Sequence, residues 1–222
     1  MSLAEKIKYS YADYIKWDGK TRYELIDGAA YAMASPSQEH QEISGEFFRQ
    51  LANFLRGKPC KVFHAPFDVR LNYDSYDDTV VQPDILIVCD KSKLNGRSVK
   101  GAPDMIIEIM SSNTRHDTFV KFRLYQKAGV REYWIVDPKT RTVQVYLLDG
   151  GKYTINYYTA EDTAPVHILE NCEINLADVF NDTIESLESY DDISKQILIE
   201  AMKTAGISDE KIEEVIRNAE LN

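Results

Sequence analysis

The sequence predicts an α/β protein, and three observations carry that assignment. Residues 103–138 run as an apolar strand, a helical stripe and a second apolar strand, the pattern of a parallel crossover unit. Two more apolar runs, at 61–73 and 80–88, add strands of the same kind. An amphipathic stretch from Ser37 to Leu55 supplies a helix long enough to cover them.

Taken in order, Ser10 caps a short helix over YADYIKW that ends at Asp18-Gly19. RYELIDGAAYAM follows as a hairpin turning at Asp27-Gly28, with Glu24 in mid-strand. Ser35-Pro36-Ser37 is a turn and helix cap. The spacing of Ile43, Phe47, Leu51, Phe54 and Leu55 then gives the amphipathic helix, closed by Gly57 and Pro59. KVFHAPFDVRLNY alternates as one strand, with Pro66 marking an edge or a bulge. DSYDD is an acidic turn. VVQPDILIV is a nearly continuous apolar strand that carries Asp84. KSKLNGRSVKGAP reads as a basic connector.

The crossover unit opens with DMIIEIM and the capping residues SSNT. In its helix, Phe119, Phe122 and Tyr125 share one stripe, and Gly129 stands at the C-terminal stop. EYWIVD closes the unit at Asp137-Pro138. TVQVYLL and KYTINYYT form a hairpin around Asp149-Gly150-Gly151, and EINLADVF is a short last element. Residues 184–222 carry no strand pattern. They read as an appended pair of acidic amphipathic helices, near 190–205 and 209–219, after a domain spanning 1–183.

Composition narrows the function. The 222 residues hold 36 acidic and 26 basic side chains, a formal charge of −10. That balance opposes non-specific binding to a phosphate backbone unless bound cations or a local basic patch offset it. No apolar run reaches the length of a membrane helix, and no secretory h-region is visible at the N-terminus. Cys60, Cys89 and Cys172 are odd in number and widely spaced, which points to a reducing cytoplasm and away from structural zinc. Cys89 then reads as a small buried residue.

The chemistry concentrates on Glu108. A carboxylate within a buried strand costs several kcal/mol unless it is paired, protonated or bound to metal. Asp104 lies four residues away on the same strand, about 13 Å off, too far to share a small cation. Asp84 belongs to another strand, and directly opposed cross-strand residues have Cβ atoms about 5 Å apart. Magnesium takes one or two carboxylates together with water and phosphate oxygens, so it would compensate such a pair. Lys121, one to two turns into the next helix, reaches back toward the end of the Glu108 strand. Each residue has a plainer account. Asp84 follows Pro83 and suits a strand-start turn; Glu108 could be protonated or paired with Arg22 or Arg123; Lys121 could form a surface pair with Asp117. His40 either lines a site or sits on a helix surface. His64, His116 and His167 show no ligand spacing, Tyr133 and Trp134 read as core or rim aromatics, and the connector cations read as a solvated loop.

An Asp after Pro, a Glu on the following strand and then a Lys resemble the PD-(D/E)xK nucleases. The lysine usually sits two residues after the Glu, where this chain has Met110. The fuller resemblance is to the Uma2 family of restriction-endonuclease-like proteins, whose lysine comes from the next helix. RYELIDG, the Ser35–His40 segment, QPDILIV, GAPDMIIEIMSSNT, Asp117, Lys121, Tyr125 and AGVREYWIVDP carry it, over about residues 10–180. Ser112 stands where the family usually has Pro. The resemblance implies a restriction-endonuclease-like core, a mixed sheet flanked by helices. It also implies Mg²⁺ or Mn²⁺ held by Asp84, Glu108 and the Ile109 carbonyl, with Lys121 as the catalytic cation. Glu24, His40 and Asp117 would line the site. The implied activity is endonucleolytic hydrolysis of DNA, with a homodimer for cutting two strands. Two alternatives stand beside it: a non-catalytic interaction protein that keeps the fold, and a hydrolase of a smaller phosphoester.

Overall fold

The computed structural model describes residues 8–111 and 115–180, with 115–118 described by backbone alone. They belong to a compact unit that ends at Phe180. The tail helices expected after residue 183, and the capping side chains of residues 112–114, lie outside the described residues.

Helix α1 (Tyr11–Tyr14) is shorter than the stretch through Trp17 predicted. The chain leaves it at Ile15, and Trp17 packs edge-on against Tyr9, Tyr14 and Tyr23. Strands β1 (Tyr23–Ile26) and β2 (Ala29–Ala32) pair with Ile26 opposite Ala29. Asp27 and Gly28 both take positive φ, as a two-residue hairpin turn requires. Helix α2 (Gln38–Leu55) is capped by the Ser37 side chain, which accepts the His40 N–H, and it buries Ile43, Phe47, Leu51 and Leu55.

Two stretches that the sequence presents as single strands are each split at a proline. The first becomes β3 (Lys61–His64) and β4 (Asp68–Arg70), with Pro66 between them. The second becomes β5 (Val80–Val81) and β6 (Ile85–Val88), with Pro83 between them. A proline has no N–H for the ladder, so each chain changes partners there. The connector is also more ordered than its composition suggests. It holds a 3₁₀ turn over Lys91–Lys93 and a strand, β7 (Ser98–Lys100).

The crossover unit is as expected. β8 (Met105–Ile109) and β9 (Glu132–Asp137) are parallel, joined by α3 (Arg115–Ala128). Gly129 ends α3 at φ +89, and the N–H of Val130 returns to the Tyr125 carbonyl. β10 (Thr142–Asp149) and β11 (Lys152–Thr159) form the predicted hairpin. An unforeseen ribbon, β12 (Thr163–Pro165) with β13 (Glu173–Asn175), follows.

The strands form two mixed sheets and that ribbon. One sheet runs β2-β1-β5-β4-β7, the other β11-β10-β9-β8-β6-β3. Side chains alternate across the six-stranded sheet. Ile85, Ile87, Met105 and Ile107 pack with α2 and the terminal ribbon, while Leu86, Val88 and Ile106 pack with Tyr125 of α3 and with Val69, Val81 and Val99 of the other sheet. Glu108 shares the second of these faces by parity, so its side chain is aimed at α3. Phe119 departs from its expected stripe: it is 58% exposed and carries the Arg123 guanidinium over its ring.

The cysteine expectation needs correcting. Cys60 and Cys89 form a disulfide, and Cys172 is the free, buried thiol. The cause is the β3/β6 register: Lys61 lies opposite Val88, so the next pair outward is Cys60 and Cys89. Cysteine count and spacing along the chain do not reveal a cross-strand pairing.

Candidate active site

The site lies where both proline-split strands pass from one sheet to the other. β6 is antiparallel to β8, with Ile85 opposite Ile107. One step further in that register sets Asp84 against Glu108. Asp84, Glu108, Ile109, Lys121, His40 and Glu24 all line a single cavity of about 600 Å³.

Asp84 Oδ2 accepts the Ile109 N–H at 2.8 Å and lies 3.1 Å from His40 Nε2. Helix α2 supplies that histidine from its first turn, so His40 faces the site and not the outer helix surface. Glu108 Oε1 accepts the Lys121 ammonium at 3.1 Å and the Tyr125 hydroxyl at 2.6 Å. Lys121 also stands 3.0 Å from Glu24 Oε1, which accepts the backbone N–H of Gln82 at 2.9 Å. Neither arginine weighed as a partner for Glu108 serves it: Arg22 binds the Gln82 amide oxygen, and Arg123 stacks on Phe119. Lys121 pairs with buried acids, so its plainer account as a surface lysine fails. The Asp117 side chain is outside the described residues.

The electrostatics follow from three acids sharing few cations. Burial pushes the Glu108 carboxyl up to about 7; the Lys121 charge opposes that, and the charges of Asp84 and Glu24 reinforce it. Burial alone would pull Lys121 down, but Glu108 and Glu24 outweigh it and hold the ammonium well above its ordinary range. Burial likewise works against a charged His40, yet the hydrogen bond and charge of Asp84, then Glu108 and the Ile109 backbone, raise it. Tyr125 is raised far above its usual value by burial and then by Glu108 and Glu24, so it remains a phenol that donates.

The donor set suits a divalent cation at two acids. Each of Asp84, Glu108 and Glu24 spends one oxygen on its hydrogen bonds and leaves the other without one among the described residues. None of those second oxygens is among the buried unpaired atoms, so they border open space. No set of three or more His, Cys, Asp or Glu among the described residues is arranged to hold a metal. A cation held at two of these acids would need water or phosphate oxygens to complete its shell. Two buried polar atoms beside it, His40 Nδ1 and Tyr133 Oη, have no hydrogen-bond partner among the described residues.

Three contributors are not among the site residues that the sequence suggests. Tyr125 was placed in an apolar stripe, although its i+4 spacing from Lys121 puts both on one face of α3. Arg22 enters the sequence reading only as a possible partner of Glu108 and within RYELIDG, and Gln82 only within QPDILIV; Arg22 alternates with Glu24 and Ile26, and all three line the cavity.

A family model described as "Uma2: putative restriction endonuclease" matches residues 11–177. The chain belongs to the Uma2 family. Its lysine position agrees with the broken textual motif: Met110 lines the cavity two residues after Glu108, while α3 delivers the ammonium. A solved structure, a putative nuclease belonging to DUF820 from Anabaena variabilis, is similar to this Uma2 chain with a TM-score of 0.64. The two share 18% identity, over 78% of this chain and 98% of that one, so the likeness is one of fold. No curated protein gives a significant match. Among the described residues no helix is long and apolar enough to cross a membrane.

Proposed function

We propose that the chain is a Mg²⁺- or Mn²⁺-dependent endonuclease that hydrolyses DNA phosphodiester bonds. The observation that carries this reading is the convergence of Asp84 and Glu108 on one cavity, each with a carboxylate oxygen open to it, beside the Lys121 ammonium. Asp84 and Glu108, with the Ile109 carbonyl as an additional oxygen, would hold the cation. Bound there, it supplies a Lewis acid for the phosphoryl oxygen and acidifies an attacking water.

The chain's own groups do the rest. Lys121 stays charged, so it orients the water and offsets charge growing on the phosphoryl oxygens, and it is not a general base. Tyr125 and Lys121 fix the Glu108 carboxylate from one side, leaving its other oxygen toward the cavity. The Ile109 N–H and His40 fix Asp84 in the same way. In the reaction, the water oxygen bonds to phosphorus and its proton passes to solvent, one P–O ester bond breaks, and the leaving alkoxide takes a proton from His40 or from solvent. His40, held above its ordinary range, is a proton donor beside Asp84. A second copy of the chain would supply the second site for cutting both strands.

Plasmid nicking with Mg²⁺ or Mn²⁺ tests this. Wild type should nick, and Asp84→Ala and Lys121→Ala should each lose about two orders of magnitude or more in rate. Equal rates in all three, or none in any, defeat the enzymatic reading. One observation favours the non-catalytic alternative: each of the three acids has a protein partner in Lys121 or His40. Calorimetry separates the two, since an interaction module need not bind Mg²⁺ at Asp84 and Glu108.

A further inference from the structure

The acids of the cavity are accounted for above; its one uncommitted cation is not. Arg22 lines the same wall, two residues before Glu24. Its Nε and Nη2 both donate to Gln82 Oε1, at 3.0 and 2.8 Å. Gln82 is fixed in that orientation from its other end, where Nε2 donates to Asp68 Oδ1 and to the Tyr14 hydroxyl. An arginine only donates and a carboxylate only accepts, so the amide can face only one way. Gln82 therefore positions Arg22 without neutralising it. Among the described residues Arg22 has no acidic partner, and its Nη1 makes no hydrogen bond although it is not among the buried unpaired atoms. Lys121, by contrast, is spent on two carboxylates.

Tyr31 stands on the same wall. It pairs with Glu24 across the β1–β2 hairpin, lines the cavity and leaves 52% of its surface exposed. A guanidinium with free donors and an exposed aromatic ring on one short hairpin are the two parts of a nucleotide grip: charge for the phosphate, a flat face for the base. The charge count limits what can be gripped. A duplex grip of about 6–10 phosphate contacts needs a comparable number of cations. Here the described cavity wall carries two full cations, Arg22 and Lys121, against three acids, on a chain of net −10.

We infer that the cavity takes an unpaired nucleic-acid strand in preference to a duplex, with Arg22 holding the phosphate next to the scissile one and Tyr31 stacking on the adjoining base. This rests on the nuclease reading for its reaction, but not for its binding. A second copy, which would serve to cut both strands of a duplex, is not needed to cut an unpaired one.

The test uses the full chain and a labelled DNA strand of roughly 20 nucleotides, alone or annealed to its complement. Binding is followed by fluorescence anisotropy in Ca²⁺ across a salt series, and cleavage in Mn²⁺. The single strand should bind about tenfold more tightly than the duplex and be cut faster. Arg22→Gln should lower the salt slope of single-strand binding by about 0.7, the share of one phosphate contact, and Arg22→Lys should restore it. Tyr31→Ala should weaken binding about tenfold, and Tyr31→Phe should not. Circular dichroism of each variant separates lost binding from lost fold. Equal binding of duplex and strand overturns the inference, as does an unchanged salt slope in a folded Arg22→Gln. A strand bound in the predicted way but never cut overturns only the nuclease reading; a strand cut with no dependence on Arg22 or Tyr31 overturns only this one.

Discussion

Lys121 Nζ lies 3.1 Å from Glu108 Oε1, yet contact with an ammonium does not keep that carboxyl in the ordinary acidic range. The lysine is shared with Glu24, and Asp84 adds a third negative charge nearby. With Lys121 shared between two of the three acids, Glu108 is the group that gives way. The pair is best described as a charged lysine beside a carboxyl that is costly to ionise while no metal is bound.

The first prediction is a pH effect on metal-free protein. The folded-state value of Glu108 is pushed up to about 7, above the 4.5 of an unfolded glutamate. Between those values the folded state binds the extra proton, so stability falls as pH rises, by up to about 1.4 kcal/mol per pH unit for one proton. Below about 4.5 the contribution is fully present; above about 7 it is gone. Urea titrations in EDTA over that window should show a steeper loss in wild type than in Glu108→Gln. Parallel curves would mean that Glu108 ionises normally in the fold.

Replacing the cation gives the second prediction. Lys121→Met leaves Glu24 and Glu108 buried against each other with no ammonium between them. Removing one partner of a buried ion pair costs about 3–5 kcal/mol. The loss should be largest near pH 8 and shrink near pH 5, where the freed carboxyls can protonate. A pH-independent loss, read from chemical denaturation, would point to packing and not charge.

A third prediction concerns the Asp84–His40 contact. Asp84 supplies the largest of the influences that hold His40 above its usual value, by hydrogen bond and by charge, while burial pulls the other way. Asp84→Asn should therefore lower the His40 value, seen as an earlier loss of its imidazolium signal when pH is raised in an NMR titration. An unmoved midpoint would detach His40 from the site.

The elements that could be read from the sequence were those whose signal is local. Alternation and Gly129 define β8, α3 and β9; Asp27-Gly28 and Asp149-Gly150-Gly151 define two hairpins. The meeting of Asp84 with Glu108 was also within reach, because an antiparallel neighbour makes cross-strand opposition a matter of register. What escaped notice depends on which strands pair across long separations. Pro66 and Pro83 look like flaws within single strands, but each marks a change of sheet. The Cys60–Cys89 bond follows from the β3/β6 register, which no spacing reveals. Gln82 reads as an ordinary polar residue, yet it joins Tyr14, Glu24, Asp68 and Arg22, drawn from well-separated parts of the chain.

The last prediction separates fold from function by means of a second buried acid. Glu132 is fully buried at the start of β9, opposite Met105, about three residues or roughly 10 Å along the strand from the level of Glu108. Its Oε1 accepts the Trp134 indole N–H and its Oε2 accepts the backbone N–H of Ile168, both at 2.8 Å. The second bond pins the loop between β12 and β13 to the six-stranded sheet. Glu132→Gln presents an amide N–H₂ to one of those donors, which leaves a buried donor unsatisfied at a cost of about 1–3 kcal/mol. The unfolding midpoint should fall accordingly. Because the side-chain partners of Glu132, Trp134, Ile168 and His167, are not residues of the cavity wall, nicking by the folded variant should match wild type at temperatures below its transition. A cleavage rate that drops while circular dichroism is unchanged would show that this end of β9 helps to set the geometry at Glu108.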